Sequence, residues 1–165
     1  MQHGTIGLHP SYYSDKIGVL NEEKEIMEKI TGHDIHVSRQ HYIRFSLPQT
    51  YRSLMQHHIT DDYSMGYGSH LGFRAGTGNS FFWYDIEVER KRDLRVHPFC
   101  FMDTTALYEE ELDAEQAFAT LNAMKEKLQQ TGSCLTTIFH NFSLGTAPEW
   151  NGWSERYAAF LKEVL

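Results

Sequence analysis

The chain has 165 residues, 41% of them hydrophobic and 22% charged, with a formal charge of -7 at pH 7. Such a composition suits one globular domain and excludes wholesale disorder. The negative balance excludes a phosphate-backbone partner, which requires a basic face, so no nucleic acid is expected.

Taken in chain order, Gly4 to Leu8 reads as a short strand that His9-Pro10-Ser11 ends in a loop. Met1-Gln2-His3 leads into it so abruptly that an upstream part is expected to be absent. Asn21 opens a helix through Ile30, with Leu20, Ile26, Met27 and Ile30 on one side and Gly32 as the stop. Between Asp34 and Phe45, Ile35, Val37, Tyr42 and Ile43 are strand-like. Pro48 suits the first turn of a second helix, whose Tyr51, Leu54 and Met55 share a face.

Glycine punctuation from Asp61 to Asn79 marks a functional loop system. Phe81 to Val88 and Leu94 to Phe101 read as strands, with Arg90-Lys91-Arg92 as a solvated turn between them. Asp113 and Gln116 make a capping box. The helix behind it has Ala117, Phe118, Leu121, Met124 and Leu128 at helical spacing, and Gly132 ends it. Leu135 to Phe139 has the continuous apolar text of a buried parallel strand. Trp153, Tyr157, Phe160, Leu161 and Val164 form the apolar face of a terminal helix. This alternation predicts one α/β domain over residues 1–165, a parallel sheet or barrel with its chemistry where strands meet loops.

Cys100 and Cys134 lie in apolar runs and read as buried free thiols, too few for a disulfide framework. No basic leader with an apolar core opens the chain and no apolar run approaches 18 residues, so a cytoplasmic protein without a membrane contact is expected. Among ten histidines, His9, His41 and His140 fall where strands meet loops, the place for a metal ligand or a general acid or base. For any one of them a hydrogen-bonded structural histidine is the commoner outcome. His57-His58 ends a helix and suits its dipole. Arg44, between Ile43 and Phe45, is expected to point inward and to need a carboxylate. Asp62 and Asp103 are the candidates, either as half of a buried ion pair or in catalysis; Asp62 is assigned the catalytic role. The segment Gly72 to Gly78 lacks the phosphate-loop pattern, and neither G-x-S-x-G nor C-x-x-C occurs.

The run His3-Gly4-Thr5-Ile6-Gly7-Leu8-His9-Pro10-Ser11-Tyr12 resembles the second conserved motif of the polysaccharide deacetylases, a carbohydrate esterase family. By that resemblance His9 is a metal ligand. Tyr13 stands where the family has a second histidine, and the family's aspartate pair belongs to an earlier strand than any here. Ser38-Arg39-Gln40-His41-Tyr42 resembles the third motif, whose arginine orients the catalytic aspartate. Thr137-Ile138-Phe139-His140 resembles the final motif, whose histidine is the general acid. The strings SRQHYIRF, DYSMGY, GFRAGT and PFCFMD resemble a divergent bacterial subgroup tied to surface-polysaccharide gene clusters.

The resemblance implies an incomplete or distorted (β/α) barrel of the polysaccharide-deacetylase type that hydrolyses N-acetyl groups on sugars. His140 and Arg39 would be catalytic by that resemblance, with Asp62 added from its place after a strand-like run, while Tyr12, His41 and Arg74 are expected to contact the carbohydrate. A zinc-like divalent metal on His9 would activate water, weakly or not at all in this chain, because His9 is the one credible ligand. Negligible deacetylase activity is therefore expected, together with a homo-oligomer that covers the open edge at His3 to Leu8. The alternative is a non-catalytic carbohydrate-binding relative that stacks sugars on Tyr12, Tyr13, Tyr67 and Trp83.

Overall fold

The computed structural model describes residues 4–16 and 18–164, so His3, in the expected first strand, lies outside the described residues. The chain is mixed α/β and divides into two compact units: Met1–Met65 with Ser80–Pro98, and Gly66–Asn79 with Phe99–Leu165. Among the described residues no helix is long and apolar enough to cross a membrane.

In the first unit α1 (Val19–Thr31) lies between two left-handed glycines, Gly18 and Gly32, with φ of 84 and 69°. The second donates its N–H to the Glu28 carbonyl, as a left-handed C-cap does. Leu20 is buried and Met27 half-buried, but Ile26 and Ile30 face solvent, so the apolar stripe is narrower than the spacing predicts. Strand β1 (Val37–Ser38) pairs in parallel with β2 (Asp61–Asp62), and β2 with β4 (Arg90–Val96). The antiparallel β3 (Phe81–Asp85) completes the order β1-β2-β4-β3.

Helix α2 (Gln49–Gln56) begins one residue after Pro48 and buries Tyr51 and Leu54. They join Leu8, Leu20, Ile35, Ile59, Trp83, Leu94 and Val96 in one core. Trp83 is therefore a core residue rather than a sugar platform.

The strand expected over Gly4 to Leu8 reduces to a single parallel bridge from Leu8 to Ser38. The strand expected near Tyr42 and Ile43 stops at Ser38, because both residues take left-handed backbone, with φ of 55 and 54°, in a tight turn. Arg90-Lys91-Arg92 opens β4 instead of forming a turn; the hairpin turns at Ile86 to Glu89, where Glu89 has φ of 46°. The three cations stay near water there, with Lys91 over the Phe82 ring at 4.1 Å.

In the second unit β5 (Phe101–Met102) pairs in parallel with β6 (Thr137–Ile138), in register Met102 to Ile138. Helix α3 (Ala114–Thr131) carries the complete capping box: the Asp113 carboxylate accepts from the Gln116 N–H at 2.9 Å, and the Gln116 side chain accepts from the Asp113 N–H at 3.1 Å. Helix α4 (Trp153–Val164) buries Trp153 and Phe160, which join Phe101, Phe118, Leu121 and Trp150 in the core. Cys100 is buried, and burial pushes its thiol up to about 11; Cys134 is exposed, contrary to its apolar context. Gly66 has a packing role: a Cβ there would land inside the Phe99 ring, itself buried.

The capping box satisfies two otherwise orphaned backbone donors, so Asp113→Ala is expected to cost about 1 kcal/mol and Asp113→Ser much less. Thermal melts of the two variants check this. Equal melting temperatures would show that the cap carries no weight.

Candidate active site

Adjacent parallel strands deliver the residues that follow them to neighbouring points. Asp103 follows β5 directly and His140 comes two residues after β6, so the strand register brings them together. Asp103 is fully buried and grips His140 twice. One carboxylate oxygen accepts from the His140 backbone N–H at 2.5 Å, and the other lies 2.6 Å from His140 Nδ1. Burial pushes the Asp103 carboxyl up, but hydrogen bonds from His140 and Ser143 outweigh it and hold the group below the usual carboxylate range.

The ring is fixed further by Phe142, stacked at 4.9 Å, and by Ser143, whose hydroxyl donates to the His140 carbonyl at 2.7 Å. The His140 side chain is 29% exposed, so a base held at one nitrogen stays accessible. Arg74, in the same unit, is exposed in its glycine-rich loop. Tyr67 stacks at 3.8 Å on His70, which occupies one face of the ring.

The first unit holds the remaining candidates. His9 follows the Leu8 bridge and Arg39 follows β1, and the His9 Nδ1 lies 2.7 Å from the Arg39 carbonyl oxygen. Both line a cavity of about 600 Å³ with Thr5, Val37, Asp61 and Tyr63. His41 packs edge-on against His9 at 4.7 Å, and Tyr42 beyond it is 75% exposed. Tyr12 joins the group at 5.8 Å from Tyr42. Arg44 does not enter the interior: it is exposed over the Tyr12 ring and paired to Asp15 at 2.7 Å, a local partner neither Asp62 nor Asp103 had to supply.

Asp62 lies away from this cavity. Successive strand residues point to opposite faces, so Asp61 turns to the cavity while Asp62 turns to the core. There Asp62 accepts from the Ser64 hydroxyl at 2.7 Å and the Ser64 N–H at 3.0 Å. It cannot meet a substrate in that position, and the reachable carboxylate is that of Asp61.

No family model, no curated protein and no solved structure matches this chain.

The donor set bears on the expected metal. Among the described residues no three His, Cys, Asp or Glu side chains come together, whereas a working centre needs about three protein ligands. His9, with His41 beside it, falls short of that number, so the described residues do not fit a resident metal and no chemistry is assigned to one.

Three further residues, Ser80, His97 and Asp61, come together in the first unit. His97, just past β4, lies between Asp61 and Ser80, with the Tyr63 ring stacked on it at 4.3 Å and 5°. Its signal was a histidine ending an alternating strand before Pro98.

Burial pushes the Asp62 carboxyl up to about 6, against opposing hydrogen bonds from the Ser64 hydroxyl and N–H. A raised native value means that the folded state binds the proton more tightly, so stability falls as the pH rises from the ordinary value of 3.8 through about 6. Ionised Asp62 then costs on the order of 3 kcal/mol at pH 7. Asp62→Asn is expected to gain in melting temperature relative to the native protein between pH 4 and 7. A constant difference across that range would show that Asp62 ionises as freely as in water.

Proposed function

We propose that this chain is a polysaccharide deacetylase-like domain, an incomplete or distorted relative of the (β/α) barrel. It binds N-acetylated sugar chains and holds the proton donor for cleavage of the acetamide. The single observation that carries this reading is the grip of buried Asp103 on His140. Amide hydrolysis expels an amine, a poor leaving group unless protonated as the C–N bond breaks, and a positioned imidazole contributes about 10²–10⁴-fold to such a step. Asp103 accepts the proton of Nδ1, which fixes the tautomer and stabilises the imidazolium, and this leaves Nε2 to exchange a proton with the substrate nitrogen. The place of His140 in the deacetylase-like text of Thr137 to His140 agrees with that role.

Arg39, at the cavity of the first unit, is the further residue this reading assigns, to positioning; His9 lines the same cavity, and the metal role that the resemblance gives it is not carried over. With no ligand set around His9, activation of water is not provided for by the described residues, and the isolated chain is assigned negligible turnover. A second reading, carbohydrate binding without catalysis, is favoured by the exposed rings of Tyr12, Tyr13 and Tyr42. Aromatic faces of this kind accept the C–H face of a pyranose and offer hydrogen bonds at the rim.

Calorimetric titration with N-acetylglucosamine oligomers tests the proposal. Binding is expected to the native protein and to His140→Ala, and weaker binding to Tyr12→Ala. Acetate release with added zinc should stay at background. No binding to the native protein overturns the carbohydrate reading, and acetate release that disappears in His140→Ala overturns the assigned inactivity.

A further inference from the structure

Nothing in the role proposed for His140 uses the hydrogen-bonded chain of Ser80, His97 and Asp61 in the first unit. The sheet order assembles it. His97 follows the last residue of β4, Asp61 opens the neighbouring β2, and Ser80 precedes β3 on the other side. The Ser80 hydroxyl lies 2.8 Å from His97 Nδ1, and His97 Nε2 lies 2.7 Å from Asp61 Oδ1.

Asp61 also accepts from the Thr60 hydroxyl at 2.7 Å. Burial raises its carboxyl, but the bonds from His97 and Thr60 outweigh this and keep it below the usual carboxylate range. An ionised Asp61 accepts and so places the imidazole proton on Nε2. The lone pair of Nδ1 then faces the Ser80 hydroxyl, which makes it an acceptor for that proton.

The Tyr63 ring lies flat on the imidazole and holds its plane. None of the three groups is sealed: Ser80 is half-buried, and the His97 and Asp61 side chains are 14% and 31% exposed. A nucleophile within hydrogen-bond reach of a base that a third group orients is the geometry of covalent acyl transfer, whichever ring nitrogen faces which partner.

We infer that Ser80, His97 and Asp61 form a second hydrolytic site, with Ser80 as nucleophile toward carboxylic esters. The Ser80 oxygen adds to the ester carbonyl carbon as its proton passes to His97 Nδ1. The bond to the alkoxide breaks, and that proton leaves with it as the alcohol. Water then adds to the acyl-serine and gives its proton to Nδ1, and the Ser80 oxygen departs and recovers it, releasing the carboxylic acid. The sum is ester plus water to acid plus alcohol, with no metal or redox partner.

A fluorophosphonate probe incubated with the native chain tests the site, read by intact mass and peptide mapping. One adduct per chain on Ser80 is expected. His97→Ala should slow labelling at least about a hundredfold, the low end of a general base's contribution. Asp61→Asn, close in shape, should slow it while far-UV circular dichroism stays native. No adduct on the folded native protein overturns the proposal. So does labelling of Ser80 that persists at the native rate in folded His97→Ala, since Ser80 would then be reactive without its base. The probe reads a serine adduct and not acetamide cleavage, so its failure is separable from failure of the carbohydrate reading.

Discussion

A carboxylate removed from water must be paid for with hydrogen bonds or charge, and the second unit does so at Asp103. Both of its oxygens are engaged by one residue, His140, through backbone and side chain together. The double contact ties the end of β5 to the end of β6, where the two-residue ladder alone gives little rigidity. It also fixes one imidazole nitrogen while the ring keeps an open side. The pair that stabilises the strand ends is thus the pair that can move a proton, and Phe142 and Ser143 serve both ends by confining the ring.

The first unit treats its carboxylates in two ways. Consecutive residues on β2 face opposite sides, so one strand supplies an accessible ionised group and a buried one. Asp61 finds His97 and stays ionised, whereas Asp62 is buried with Ser64 as its hydrogen-bond partner, and burial raises its proton affinity. Asp62 and Asp103 therefore respond to acid with opposite signs. Asp103 stabilises the fold above its ordinary carboxylate value and loses that contribution as pH falls through its lowered native value, while Asp62 is most at ease when protonated.

Much of the helical structure was legible in the sequence. Asp113 and Gln116 form the capping box their spacing implies, and Gly132 takes the left-handed cap that ends α3. The helix that follows Pro48 buries Tyr51 and Leu54 as their spacing predicts. Strands were less legible, since β1, β2, β5 and β6 are each two residues long, too short for a period of two to register. Position after the Ile59 run points to Asp62, but in a two-residue strand which of Asp61 and Asp62 faces the cavity is not legible, since a shift of one residue exchanges faces. His140 was readable from its strand-end position, but Asp103 as its holder depends on the pairing of β5 with β6. Ser80, His97 and Asp61 are 17 and 36 residues apart and meet only because β4 lies between β2 and β3. Arg44 was illegible for a different reason: its apolar neighbours suggest an inward side chain, and its partner Asp15 stands 29 residues earlier in the chain.

Asp103 accepts the proton of His140 Nδ1, and the tautomer of that ring reports this directly. Long-range ¹H–¹⁵N correlation of the imidazole resonances, in the native protein and in Asp103→Ala, reports it under conditions where the ring is neutral. A proton on Nδ1 is expected in the native protein, with the lone pair on Nε2, and a loss of that preference in Asp103→Ala. A native His140 carrying its proton on Nε2, or a tautomer unchanged by removal of Asp103, would contradict it.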